Sequence, residues 1–272
     1  MPEQLDGGEA AAAEPAGGSG ETLTSLRSGA LVVVGALVTA GLVAASVYAG
    51  PGIAALVVAA GGAVLAWGWP GILDLPSPRG TSGVLLLAAL AVAAAAFLTA
   101  DAPLLRLVPA AVAGAVLLTF VHQLLRRDGR PRLVTTVAGT LTGIAALASG
   151  VGFVGLSRLP HGDGVAAVAV IGVAAGALLD HLLRGEALRA WLLPLELVVG
   201  AGLAVALSVA VAVPWGVALL LGVVCTGVSH ALRRVVTALP ALVAARPQLA
   251  AGVTTVLLDG VVAYLVCRAL LP

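Results

Sequence analysis

The chain predicts an all-α fold: a polytopic transmembrane helical bundle of about nine spans. Three observations carry that expectation. First, 60% of the 272 residues are hydrophobic, only 10% are charged and the mean hydropathy is +1.12, whereas soluble domains run at about 45–50% apolar and about 25% charged. Second, the apolar residues gather into runs of about 20, the length that crosses a hydrocarbon core. Third, the breaks between runs hold proline, glycine and arginine rather than a polar domain.

The chain divides into two parts. Residues 1–26 hold five acids and no base, in an Ala/Gly/Pro/Glu mixture too poor in large apolar side chains to build a core, so a disordered acidic tail is expected. Its charge has the wrong sign for a secretory signal peptide. Residues 27–272 then form the helical domain, with 14 Arg, no Lys and eight acids. A chain without lysine excludes a phosphate-binding P-loop, a Schiff-base cofactor and a protein-kinase site. Cys225 and Cys267 both fall inside apolar runs, so neither a disulfide framework nor a thiolate metal site is indicated. The sequence points to no cofactor and no nucleic acid.

The spans follow in order. The first, 28–49, is opened by Arg27 and closed by Gly50-Pro51-Gly52. The second, 52–70, runs into a Pro/Gly-rich loop, and the third, 82–100, ends at Asp101-Ala102-Pro103. The fourth, 103–125, stops at the Arg-rich stretch 126–132, and the fifth, 133–156, stops at Pro160-His161-Gly162. The sixth and seventh, 164–183 and 190–212, are parted by Arg184-Gly185-Glu186. Only Val213-Pro214-Trp215 separates the seventh from the eighth, 214–232, so an eight-span alternative stays open there. The stretch 233–248, basic at both ends and apolar between, suits a segment lying in the headgroup layer or a plain loop. The ninth span is 249–271.

Arginine asymmetry sets the expected orientation. With the N-terminus inside, eleven Arg fall at inner ends and only Arg106, Arg158 and Arg268 at outer ones, which satisfies the positive-inside rule. A bacterial cytoplasmic membrane with the N-terminus in the cytoplasm is the matching location. Arg27, Arg79, Arg132, Arg189 and Arg246 open the odd spans at spacings of 52, 53, 57 and 57. The even spans close in similar phrases around His122, His181 and His230. A duplicated helical hairpin explains this, and so does the positive-inside rule acting on regular spans.

Ionisable groups inside spans are costly, about 2.5–3.5 kcal/mol at mid-bilayer on insertion scales, and they mark pathways or relays. Asp259 lies at the centre of the ninth span on a stripe with Gly252, Thr255 and Ala263. It reads as a proton-binding or gating carboxyl, or as a protonated group bonded to a neighbouring helix. Glu196, between Pro194 and Gly200, suggests a broken, polar-lined helix of the kind that binds solutes in transporters, or a packing kink with an Arg partner. Asp180 continues Gly172 and Gly176 at four-residue steps and is followed by His181. That face, like Gly139-x-x-x-Gly143, more often packs helices than does chemistry. Three His near one depth with Asp180 and Glu196 raise a metal site or proton relay, although nothing in the spacing makes them converge.

The segment Trp67-Gly68-Trp69-Pro70-Gly71-Ile72-Leu73-Asp74-Leu75-Pro76-Ser77-Pro78-Arg79-Gly80-Thr81 reads as a rigid interfacial turn. Trp69 is expected at the headgroups with Asp74 and Arg79 paired, as a clamp or as a contact for a lipid headgroup or partner. It resembles the corresponding loop of polytopic integral membrane proteins of high-GC bacteria that carry no assigned activity, so the resemblance implies a membrane fold and no function.

Three functions follow from these readings. A small transporter or flippase-like permease would use the buried carboxyls. A non-catalytic membrane subunit or scaffold would use the Gly-x-x-x-Gly faces to dock a helix-packing partner within the lipid. A lipid-modifying enzyme would need paired acids for a divalent metal, and no Asp-x-x-Asp or Asp-x-x-x-Asp pair occurs.

Overall fold

The computed structural model describes residues 18–271 apart from 184, 240, 241 and 243. Twelve helices follow in order: α1 (Gly18–Ala49), α2 (Pro51–Ile72), α3 (Pro78–Leu98), α4 (Val108–Leu125), α5 (Leu133–Gly150), α6 (Gly152–Leu156), α7 (Gly162–Leu182), α8 (Glu186–Arg189), α9 (Leu192–Ala210), α10 (Trp215–Thr237), α11 (Ala245–Leu257) and α12 (Asp259–Leu270). Among the described residues there is no strand, and nine segments are long and apolar enough to cross a membrane. The seventh and eighth spans, Leu192–Ala210 and Trp215–Thr237, are separate, so the eight-span alternative falls. Pro214 carries the break by standing just before α10 in an extended conformation.

Residues 1–17, most of the expected tail, lie outside the described residues. From Gly18 onward the chain is already helical, because extending a helix from an apolar span needs no new nucleus. The expected headgroup segment 233–248 is shorter than its composition suggests. Helix α10 continues to Thr237 and α11 begins at Ala245, which draws Arg233 and Arg234 into the bundle.

Two spans form the centre. Leu133–Leu156, built from α5 and α6, and Ala245–Leu270, built from α11 and α12, are each 67% buried, against 22% for the peripheral α4. Helices α2, α3 and α4 pack on one side of this pair and α7, α9 and α10 on the other, with α1 bridging α2, α11 and α7. Both central spans are interrupted at one residue, Val151 in the fifth and Leu258 in the ninth. The Ser149 hydroxyl donates to the Leu258 carbonyl at 2.6 Å and accepts from the Val261 N–H at 3.2 Å. A side chain inserted into the i→i−4 ladder is a recognised cause of a local break. The two interruptions cross through Gly150, Gly152 and Gly260. A Cβ on Gly260 would lie 2.5 Å from the Ser149 carbonyl oxygen and 3.1 Å from the Gly150 Cα.

The Trp67–Thr81 turn is structural. Trp69 is buried rather than interfacial, and its indole N–H donates to the Gly139 carbonyl at 2.7 Å. Asp74 pairs with Arg132, at 3.2 Å, and not with Arg79. The same Arg132 guanidinium donates to the Asp74 carbonyl at 2.7 Å, tying the second loop to the start of α5. Arg79 is exposed in the first turn of α3. Within this turn it is Trp67 that behaves as a belt residue, half exposed with the Arg246 guanidinium 4.7 Å above its ring. Trp69→Phe is expected to cost about 1 kcal/mol, the usual net worth of one hydrogen bond, read as a lower melting temperature of the purified protein in detergent.

A second basic cluster closes α4. Arg126 is buried, donating to the Gln123 side-chain Oε1 at 2.9 Å and to both Asp128 carboxylate oxygens. The Arg126 guanidinium, reinforced by the Arg130 backbone N–H, holds the Asp128 carboxyl below the usual carboxylate range. His122 packs against Gly80, its Nε2 3.4 Å from the Ser77 hydroxyl.

Candidate functional site

Asp180, Glu196 and His230 come from three helices that pack together, α7, α9 and α10, the last carrying Arg233 and Arg234 beside them. Glu196 sits in the second turn of α9, and Pro194 lies in the first turn, where a missing N–H costs nothing. The broken helix expected at Pro194 is therefore absent, and the interruption occurs in the ninth span instead. Because α9 starts cleanly, Glu196 points inward and is fully buried.

Arg233 is the hub. Its Nε donates to Asp180 Oδ2 at 2.6 Å, its Nη1 to the Ser229 hydroxyl at 2.6 Å, and its Nη2 to Glu196 Oε2. One planar fork thus satisfies two carboxylates and a hydroxyl, a geometry that lysine cannot reproduce. The opposite oxygen of Glu196, Oε1, faces His230 Nδ1 at 3.1 Å without a donor aligned on it. Arg234 contributes at the edge, its Nε donating to His230 Nε2 at 3.4 Å and its Nη2 lying 4.0 Å from Asp180 Oδ1.

The Gly172-x-x-x-Gly176-x-x-x-Asp180 face is what lets this cluster exist. A Cβ on Gly176 would lie 2.8 Å from Glu196 Oε2 and 3.0 Å from Arg233 Nη2, so the ion pair rests on bare backbone. One turn earlier, Gly172 and Gly200 enclose the buried Thr226 hydroxyl, which has no hydrogen-bond partner. The small-residue faces are spent inside the chain: Gly139 and Gly143 likewise meet Leu73, Leu85 and Trp69. Gly176→Ala is expected to cost about 1–3 kcal/mol by overpacking and to loosen the Glu196–Arg233 pair. Thermal unfolding in detergent checks the cost, and an unchanged melting temperature would contradict the packing.

Asp180, Glu196 and His230 each offer a ligand atom, all within 4.8 Å of one another. Two features set this cluster apart from a metal centre. The guanidinium already donates to both carboxylates, and an Arg234 N–H directed at His230 Nε2 assigns the imidazole proton to Nδ1, the atom a metal would need bare. The arrangement is better suited to holding and releasing a proton at Glu196 Oε1.

The structure thus brings together Asp180 and Glu196 from the sequence-predicted set. His181, beside Asp180 at the end of α7, is half-buried. Asp259 lies deeper, fully buried in the first turn of α12, with the Cys225 thiol and the Arg233 guanidinium acting on its charge. Trp69, Asp74 and Arg79 belong to the loop scaffold rather than to this cluster. Of the three His raised with Asp180 and Glu196, His230 does join them, whereas sequence reading missed Arg233, counting it as a loop charge. The legible signal was Ser229-His230-x-x-Arg233, which stacks hydroxyl, imidazole and guanidinium on one helix face.

Fold and cluster together define a polytopic integral membrane protein with an ion-pair network buried among its spans. No family model matches the chain, and no curated protein or solved structure matches it either.

Proposed function

We propose that this protein is a small permease in which Glu196, held by Arg233 and flanked by His230 and Asp180, binds a proton or a cationic solute at the cytoplasmic end of the bundle. The observation that carries this reading is the unequal state of the Glu196 carboxylate: Oε2 is locked to Arg233, while Oε1, fully buried, faces the His230 Nδ1–H at 3.1 Å out of alignment for a hydrogen bond. Ionisable groups inside membrane spans that face the bundle characterise ion and substrate pathways. The two interrupted spans crossing at the centre support the same reading, since discontinuous helices are common in secondary transporters. The scaffold alternative loses one of its two supports, because the Gly-x-x-x-Gly faces are covered by the chain's own helices, and keeps the other, the scarcity of functional groups.

Purified protein in liposomes under an imposed pH gradient, followed with an internal pH dye, tests the proposal. Wild type should dissipate the gradient when pools of small cationic solutes are added, and Glu196→Gln and Asp180→Asn should not. Wild-type rates in Glu196→Gln would overturn it.

A further inference from the structure

We infer that Asp259 is the binding carboxylate of a second site, for a monovalent cation, built at the interruption of the ninth span and linked to the Glu196 cluster through Arg233. The carboxyl is fully buried, and no donor is aligned on either oxygen among the described residues, the Cys225 thiol being the one hydrogen-bonding group that acts on it. No ion pair reaches it among those residues, in contrast to Glu196. A buried charge without a partner is strongly unfavourable in hydrocarbon. A carboxylate with only a weak thiol donor beside it must keep a proton or receive another small cation.

The surroundings fit that role. Asp259 follows the interrupted residue Leu258, whose carbonyl is diverted to the Ser149 hydroxyl. The groups acting on its charge are Cys225 and Arg233, both from α10. Of the other helices packed on α12, α5 and α6 carry no ionisable residue, α11 carries Arg246 at its start, and α7 carries Asp163 at one end and Asp180 with His181 at the other. Thr255, one turn before Asp259, lines the same hollow as Arg233, together with Val32, Val236, Leu242 and Ala251. The permanently charged guanidinium thus acts on both sites, donating to Asp180 and Glu196 while its charge also reaches Asp259. With a cation on Asp259, Arg233 answers to Glu196 and Asp180 alone. Once the cation leaves, the Asp259 charge competes for it. The cation site stands on its own geometry, and its role as the coupling ion rests on the permease reading.

Dicyclohexylcarbodiimide, an apolar reagent that adds only to protonated carboxyls, tests the site on the full chain in detergent, with peptide mass mapping as the readout. Modification at Asp259 is expected, absent in Asp259→Asn. It should fall about tenfold per pH unit above the titration of the group. Dependence on pH alone, unchanged when sodium replaces choline, identifies the ion as a proton; several-fold slowing by sodium at fixed pH identifies a sodium site. No modification at Asp259, or modification indifferent to both pH and sodium, overturns the proposal. Continued burial of Cys267 against a thiol reagent shows that Asp259→Asn is folded. Modification that behaves as expected in a protein that moves no solute would leave the cation site standing and remove the permease reading.

Discussion

Arg233→Leu is expected to destabilise the folded protein by about 3–5 kcal/mol, the cost of removing one partner from a buried ion pair. The residue left behind decides the size. Glu196 is fully buried and loses the donor on Oε2, while its Oε1 never had an aligned one. Asp180, with a side chain 19% exposed, recovers part of its loss from water and from Arg234. Arg233→Lys should rescue little, because three different nitrogens of the fork are in use. The triple variant Arg233→Leu, Glu196→Gln, Asp180→Asn should recover most of the stability, since a buried triad made neutral is often no less stable than the charged one. The buried Cys225 and Cys267 supply the assay: a thiol-reactive dye reports unfolding on heating in detergent. A single-variant loss below about 1 kcal/mol, the worth of an exposed pair, would contradict a buried network.

Gly260→Ala is expected to be the next most damaging change, at about 3 kcal/mol, the upper part of the overpacking range. The added methyl would meet the Ser149 carbonyl oxygen and the Gly150 Cα, both backbone, which cannot swing aside as a side-chain end can. The two central spans would have to separate at their crossing, and the Ser149 bridge between Leu258 and Val261 would stretch with them. Gly152→Ala, directed at the Gly260 backbone, should behave alike. Gly202→Ala is the control: nothing lies within 4 Å of its added methyl, so its stability should stay within about 1 kcal/mol of wild type. Equal melting temperatures for Gly260→Ala and Gly202→Ala would show that the spans do not cross as closely as described.

Span number and breaks were legible in the sequence because hydropathy and proline–glycine punctuation act locally. The depth of Asp259 was legible for the same reason. Pairing was not. Arg132 and Arg79 are equivalent neighbours of Asp74 in composition, and only the return of α5 beside the second loop selects Arg132. Trp69 has the composition of a belt residue, yet the Gly139 carbonyl three spans later claims its N–H. Arg233 was hidden by a rule that is right on average: the positive-inside count treats every arginine near a span end as solvated. Helix α10 runs to Thr237 and carries this one into the bundle. The Gly172 and Gly176 face could be read as a packing surface, but not that its contents were Thr226, Glu196 and Arg233.

The interruption at Leu258 bears on how the ninth span enters the bilayer during synthesis. Helices α11 and α12 have 13 and 12 residues, so at about 1.5 Å per residue each half reaches about 20 Å or less and falls short of the roughly 30 Å hydrocarbon core. Neither half is a membrane-spanning unit by itself. The insertion machinery must accept both together, with a carboxyl at the junction that opposes partitioning by about 2.5–3.5 kcal/mol on insertion scales. Its apolar flanks and its docking against α5, α6 and α10, already made by then, are what hold it across.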